Sequence, residues 1–192
     1  MLTGGSFILA SCNDFLDREP LDSVTPDNFF FTENDLAAYA VKHYNFTTHE
    51  GFNAGIWKND NATDNQAATD YDKKWIPGQW KVPEAYDNPA SNDPWYFSTI
   101  REANYFLETV VPRFEKGEIE GSETNIKHYI GEMYFLRAKN YLSKLETFGD
   151  FPIIKNTLPD ESESLIQASK RAPRYKVAHF ILEDLDQAIS LL

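Results

Sequence analysis

Between residues 95 and 148, apolar side chains recur every three or four positions over a longer run than a strand sustains. Phe97, Ile100, Ala103, Asn104, Leu107 and Val111 line one stripe, and Pro112 perturbs its end. This predicts a helix over Pro94–Lys116. Gly117 and Gly121 break the chain. Ile126, Ile130, Met133, Leu136, Arg137, Tyr141, Leu145 and Phe148 then form a longer stripe that stops at Gly149, a helix-ending glycine. A last stripe, Val177, Phe180, Ile181, Leu185, Ala188 and Leu192, predicts a helix from Arg174 to the final residue. Near the other end, Thr32 is placed to cap a helix over Glu33–Asn45, with Glu33 and Asp35 in its first turn. Asp150–Ile154 reads as extended because Pro152 interrupts it. Residues 155–172 read as a polar linker with one turn near Glu163–Ala168. The expectation is an all-α fold of tetratricopeptide-like helical hairpins. No clean repeat of about 34 residues can be aligned. A chain that stops in mid-helix is expected to be a fragment.

Residues 46–94 carry no sustained period beyond a possible short helix near Asp60–Tyr71. They hold Gly51, Gly55, Gly78, Pro77, Pro83, Pro89 and Pro94. All four Trp fall between Trp57 and Trp95. Loops this long in a small domain are usually functional. Sugar rings present flat C–H faces that stack on aromatic rings, and their hydroxyls need planar polar partners. Trp57, Tyr71, Trp75 and Trp80 supply the first kind of group, and Asp64, Asn65, Gln66 and Asp70 the second. The competing reading is that the large rings pack the loop onto the helices. Trp95, at a helix start, is expected in the core.

Charge and motifs narrow the function. Acidic residues outnumber basic ones 30 to 18, for a net charge of −12. Such a surface repels phosphate backbones, so no nucleic-acid partner is expected. No run approaches the 18 or so apolar residues of a membrane-spanning helix. His43, His49, His128 and His179 form no H-E-x-x-H pair, and no G-x-S-x-G elbow, P-loop or G-x-G-x-x-G occurs. The stretch Asp60–Asn65 invites a calcium reading, but an EF-hand's glycine and terminal glutamate are misplaced, so a solvated acidic loop is favoured. Carboxylates abound, yet spacing cannot set two of them across a scissile bond. Neither catalysis nor a metal or cofactor is expected.

The single Cys, Cys12, follows Leu9-Ala10-Ser11 and a short apolar run. This is the pattern cut and acylated in bacterial lipoproteins, although a positively charged n-region is absent, the first basic residue being Arg18. Acyl chains contribute about 0.8 kcal/mol per buried CH₂ to membrane attachment.

Several segments together resemble the SusD/RagB family of Bacteroidetes surface lipoproteins. These are Ser11–Asp17 with Pro20 and Phe29–Thr32, Trp95 and Tyr96 through Leu107, Gly131–Leu142 running into Phe148–Pro152, and Arg171–Pro173 followed by Val177 and Phe180–Ile189. The resemblance implies a signal region over residues 1–12 ending at lipidated Cys12, and an extended leader over 13–31. It implies that residues 32–192 are the N-terminal part of a SusD-like helical domain carrying a long Trp-rich ligand-binding loop. It further implies a cell-surface, outer-membrane, non-catalytic glycan receptor beside a SusC-like TonB-dependent transporter. Asp14, Asp17 and Glu19 resemble surface-export tags, and Thr63-Asp64-Asn65 resembles a turn near the family's ligand face. Arg137 and Asn104 are expected to be buried scaffold. The expected ligand-binding residues are Asp64, Asn65, Gln66, Asp70, Tyr71, Trp75 and Trp80. The alternative is a tetratricopeptide-type adaptor that binds peptide or protein partners through its helical groove.

Overall fold

The computed structural model describes residues 29–44, 76–79, 81–83 and 93–192. Among them are five helices: α1 (Glu33–Val41), α2 (Ser98–Lys116), α3 (Glu123–Phe148), α4 (Ser162–Ala168) and α5 (Arg174–Leu191). The only extended pairings among the described residues are two isolated bridges, Thr32 with Glu120 and Phe151 with Ala172. The expected all-α architecture is present. Long α3 is the axis: α1, α2 and α5 all pack against it.

One cluster joins α1, α2 and the first half of α3 through Leu36, Ala40, Ala103, Phe106, Val110, Ile126 and Met133. The other joins the second half of α3 to α5 and to Phe151 through Ala138, Tyr141, Phe148, Val177 and Phe180. α2 and α5 run antiparallel to α3: Thr99 meets Asn140 while Phe114 meets Lys127, and Asp184 meets Arg137 while Ala188 meets Gly131. Gly131 allows the close approach at the end of α5, because a Cβ there would stand 3.0 Å from Leu192 and 3.2 Å from the Ala188 carbonyl.

Helix ends explain where the period misleads. Thr32 caps α1 as expected: its hydroxyl accepts from Asp35 N–H, and the Asp35 carboxylate accepts from the Thr32 N–H in return. The helix stops at Val41, short of Asn45, because the His43 and Tyr44 N–H groups turn back to the Ala40 and Val41 carbonyls. α2 begins four residues after Pro94. Asp93 takes the Trp95 N–H, and the Lys144 ammonium takes the carbonyls of Pro94 and Tyr96 that a longer helix would use. Pro112 lies inside α2, and the helix ends one turn later at left-handed Gly117. The turn expected near Glu163–Ala168 is a full seven-residue helix.

The segment before α1 is clamped to the α2–α3 turn. Glu33 N–H donates to the Glu120 carbonyl and Glu120 N–H to that of Phe31, each at 2.8 Å. The Glu33 carboxylate accepts from Ser122 N–H and the Asn125 amide, and these bonds hold its pKa below the usual value. Arg113 donates to the Phe29 carbonyl at 2.7 Å and lies over the Phe31 ring. Phe30 adopts φ 69°, a strained backbone for a bulky residue, while its ring is fully buried against Phe29, Tyr39, Tyr105 and Phe106.

Arg137 and Asn104 are buried scaffold. Arg137 is 5% exposed and holds Asp184 bidentately, with both distances 2.7 Å. Its third donor reaches Asn104 Oδ1, and the Asn104 amide donates to the carbonyls of Ile154 and Asn156. Burial raises the Asp184 carboxyl above the ordinary range, opposed by the Arg137 bonds. Tyr141 exchanges hydrogen bonds with both backbone groups of Ile154, and burial pushes its phenol up to about 12. This network nails the extended 154–156 segment across α2, α3 and α5.

Candidate functional site

Asp64, Asn65, Gln66, Asp70, Tyr71, Trp75 and Trp80 lie outside the described residues, as do Trp57 and Cys12. The described borders of that stretch are the turn at Ile76–Gln79, the residues 81–83 and the approach to α2. Gly78 takes φ 79° in the turn, which the Gln79 N–H closes on the Ile76 carbonyl.

Trp95 ties this border to the scaffold. Its indole N–H donates to the Pro83 carbonyl at 2.9 Å. Its ring meets Phe148 at 4.3 Å and Phe151 at 6.0 Å, with the Arg171 guanidinium 5.2 Å away over one face. It is half-buried on the second core cluster, a packing role. The Lys144 ammonium beneath it is held below its usual pKa by burial and satisfies two carbonyls of the same turn.

Beside Val82 a cleft of about 470 Å³ opens between the end of α3 and the start of α5. Leu145, Thr147, Phe148 and Ala178 form its floor and walls, and Glu146, Arg174 and Tyr175 bring its charged and aromatic groups. The local sequence builds it in two ways. Gly149 turns the chain out of α3 with φ 71° and ψ −96°. Asp150 then accepts the Arg174 N–H at 2.8 Å, a carboxylate at the positive end of α5. These fix the first turn of α5, where Tyr175 stays 59% exposed. The Thr147 hydroxyl is engaged by the Ser143 carbonyl. Among the described residues the lining therefore offers an exposed ring, one carboxylate and one guanidinium over a floor of helix side chains. Such a set suits stacking and hydrogen bonding to a polyhydroxylated ring.

Sequence reasoning did not single out Glu146, Arg174 or Tyr175. Tyr175 does stand off the buried stripe of α5, immediately after Pro173-Arg174, and that was the available signal. Among the described residues no three His, Cys, Asp or Glu side chains group as metal ligands, and no helix is long and apolar enough to cross a membrane.

An α-helical hairpin scaffold with a ligand-sized cleft at one end, lined by Val82 and Tyr175, defines the class. The chain belongs to the SusD-like family: the family pattern described as "Starch-binding associating with outer membrane" matches residues 14–192. Two SusD-like proteins of Formosa agariphila are 25% and 26% identical to it over 94% of the chain. The crystal structure of a SusD-like protein from Bacteroides fragilis superposes with a TM-score of 0.58 at 25% identity, covering 91% of this chain. The chain spans about a third of each of these relatives, 35%, 34% and 32% respectively.

Proposed function

We propose that this chain is the helical portion of a non-catalytic glycan receptor. In this reading it is anchored at the cell surface through acylated Cys12 and passes oligosaccharide to a SusC-like TonB-dependent transporter in the outer membrane. The family's description as starch-binding and associated with the outer membrane supports the setting. The carrying observation is the cleft in which exposed Tyr175, Glu146 and Arg174 stand beside Val82, the border of the Trp-rich stretch. An exposed ring supplies the stacking platform, and the flanking ionic groups supply directional bonds to hydroxyls. Asp64, Asn65, Gln66, Asp70, Tyr71, Trp75 and Trp80 would add further contacts from the loop. Among the described residues lining the cleft Glu146 is the one carboxylate, which fits a binding role.

The test is a tryptophan-fluorescence titration of a panel of oligosaccharides. A saturable shift with one glycan class is expected, weakened about tenfold in Tyr175→Ala and in Trp75→Ala, the loss of one good stacking contact. Calorimetry on the same panel checks the shift with no optical probe. A well-folded chain that answers no glycan by either method would overturn the proposal.

One observation favours the adaptor alternative. Leu182 and Ile189 on α5, and Phe135 and Leu142 on α3, are exposed at seven-residue spacing. Peptide capture on that face would be lost in Leu182→Asp and indifferent to Tyr175→Ala.

A further inference from the structure

A second pocket lies away from that cleft, under the shortest helix. α4 buries none of its seven residues and makes no close backbone approach to any other described helix. Among the described residues, the chain on either side fastens it. Before it, Thr157 gives its N–H (2.8 Å) and its hydroxyl to the Glu108 carboxylate. After it, Ala172 bridges to Phe151. A helix fastened in this way would ordinarily turn its apolar side onto a filled core. Here Leu165 instead borders a half-open pocket of about 260 Å³, walled by Phe97, Ile154 and Leu158, and remains 43% exposed itself.

The polar groups of this pocket are unequal. Asn104 contributes nothing free, since its amide and carbonyl are already taken by Ile154, Asn156 and Arg137. Arg101 lines the pocket and is exposed; its charge is felt by the Tyr39 phenol, but among the described residues no carboxylate pairs with its guanidinium. Its carboxylate neighbours on α2 are committed, Glu102 to Lys42 and Glu108 to Thr157. The exposed Asn156 side chain also lines the pocket and has no bond among the described residues. A largely apolar pocket with one guanidinium free of any carboxylate and one amide suits an apolar body ending in a carboxylate. A cavity of roughly 150 Å³ with similar walls holds benzene, so this one admits a single ring carrying a short arm, or a chain of comparable bulk.

We propose that the pocket between α2, the 154–158 segment and α4 binds a small aryl or alkyl monocarboxylate, with its body between Phe97, Leu158 and Leu165 and its carboxylate on Arg101. The α4 helix is the cover past which the ligand enters. This site does not rest on the glycan reading and shares no lining residue with the first cleft.

The experiment is calorimetric and NMR titration of the full chain with hydrocinnamate and with its neutral counterpart, hydrocinnamyl alcohol. Saturable one-to-one binding of the acid is expected, with the alcohol at least about tenfold weaker, the worth of one charge-assisted bond. Arg101→Gln should bring the acid to the alcohol's level and leave the alcohol unchanged. Leu158→Trp, which fills the chamber, should weaken both about tenfold. If that variant does not fold, shifts of the Ile154, Leu158 and Leu165 methyls in the unaltered protein decide the location. Absence of saturation by the acid, methyl shifts elsewhere, or acid binding untouched by either variant overturns the site. Equal affinity for acid and alcohol overturns the carboxylate assignment.

Discussion

Arg137 shows how a buried charge can be compulsory without being a net gain. Its guanidinium is matched on every side by Asp184, Asn104 and the Lys155 carbonyl. Arg137→Ala should therefore cost about 3–5 kcal/mol, because it leaves Asp184 buried and unpaired. Arg137→Met combined with Asp184→Leu should recover most of that loss; urea unfolding of the three variants measures it. His43 makes a different prediction. Burial holds its imidazole below the ordinary value of 6.5, outweighing Glu102 at 3.6 Å, and its Nε2 has no hydrogen-bond partner. The unfolded chain thus takes up this proton at a higher pH than the folded one. The contribution is complete above pH 6.5 and is lost as pH falls below it. The melting temperature of His43→Gln should fall less steeply than that of the unaltered protein on acidification from pH 6.5, and a parallel slope would show that other groups carry the effect.

Among the elements, the helix ends were the least legible from sequence, and the reason is particular. The period of α2 fits residues from Pro94, yet Lys144, fifty positions away, takes the carbonyls needed for that first turn. No local pattern announces such a partner. The Thr32 cap and the stops at Gly117 and Gly149 were readable because their causes lie within a few residues. Gly149→Ala should cost about 1–3 kcal/mol for backbone alone, since a Cβ there meets nothing within 4 Å while φ 71°, ψ −96° is closed to L residues. Gly121→Ala has a separate cause, a Cβ forced to 2.5 Å from that of Glu33. It should release the α1 clamp, read as faster amide exchange at Glu33 and Glu120. The same experiment orders the helices: α4, which buries nothing, should exchange fastest, and the centre of α3 slowest.

At the scale of the molecule, one helix carries both core clusters, so the two halves should not melt separately. Met133→Ala in the first cluster and Phe180→Ala in the second should each cost about 2–5 kcal/mol. Each should shift a single transition that far- and near-ultraviolet circular dichroism report together; a split curve in either variant would mark two independent units. The helical frame was legible because its burial repeats along the chain. The cleft was not, because Glu146 and Tyr175 meet through the chain reversal at Gly149 and Asp150, and Val82 joins them beside the Pro83–Trp95 bond. The attachment ahead of α1 has a mechanical meaning. Tension arriving from upstream of Phe29 should meet this clamp before it reaches α1. It is transferred sideways, through the Phe29 carbonyl to Arg113 and through the Phe31–Glu120 pairing, into the stiff corner between the two longest helices. Phe30, plugged into the core beside that corner, keeps the joint from peeling open one bond at a time.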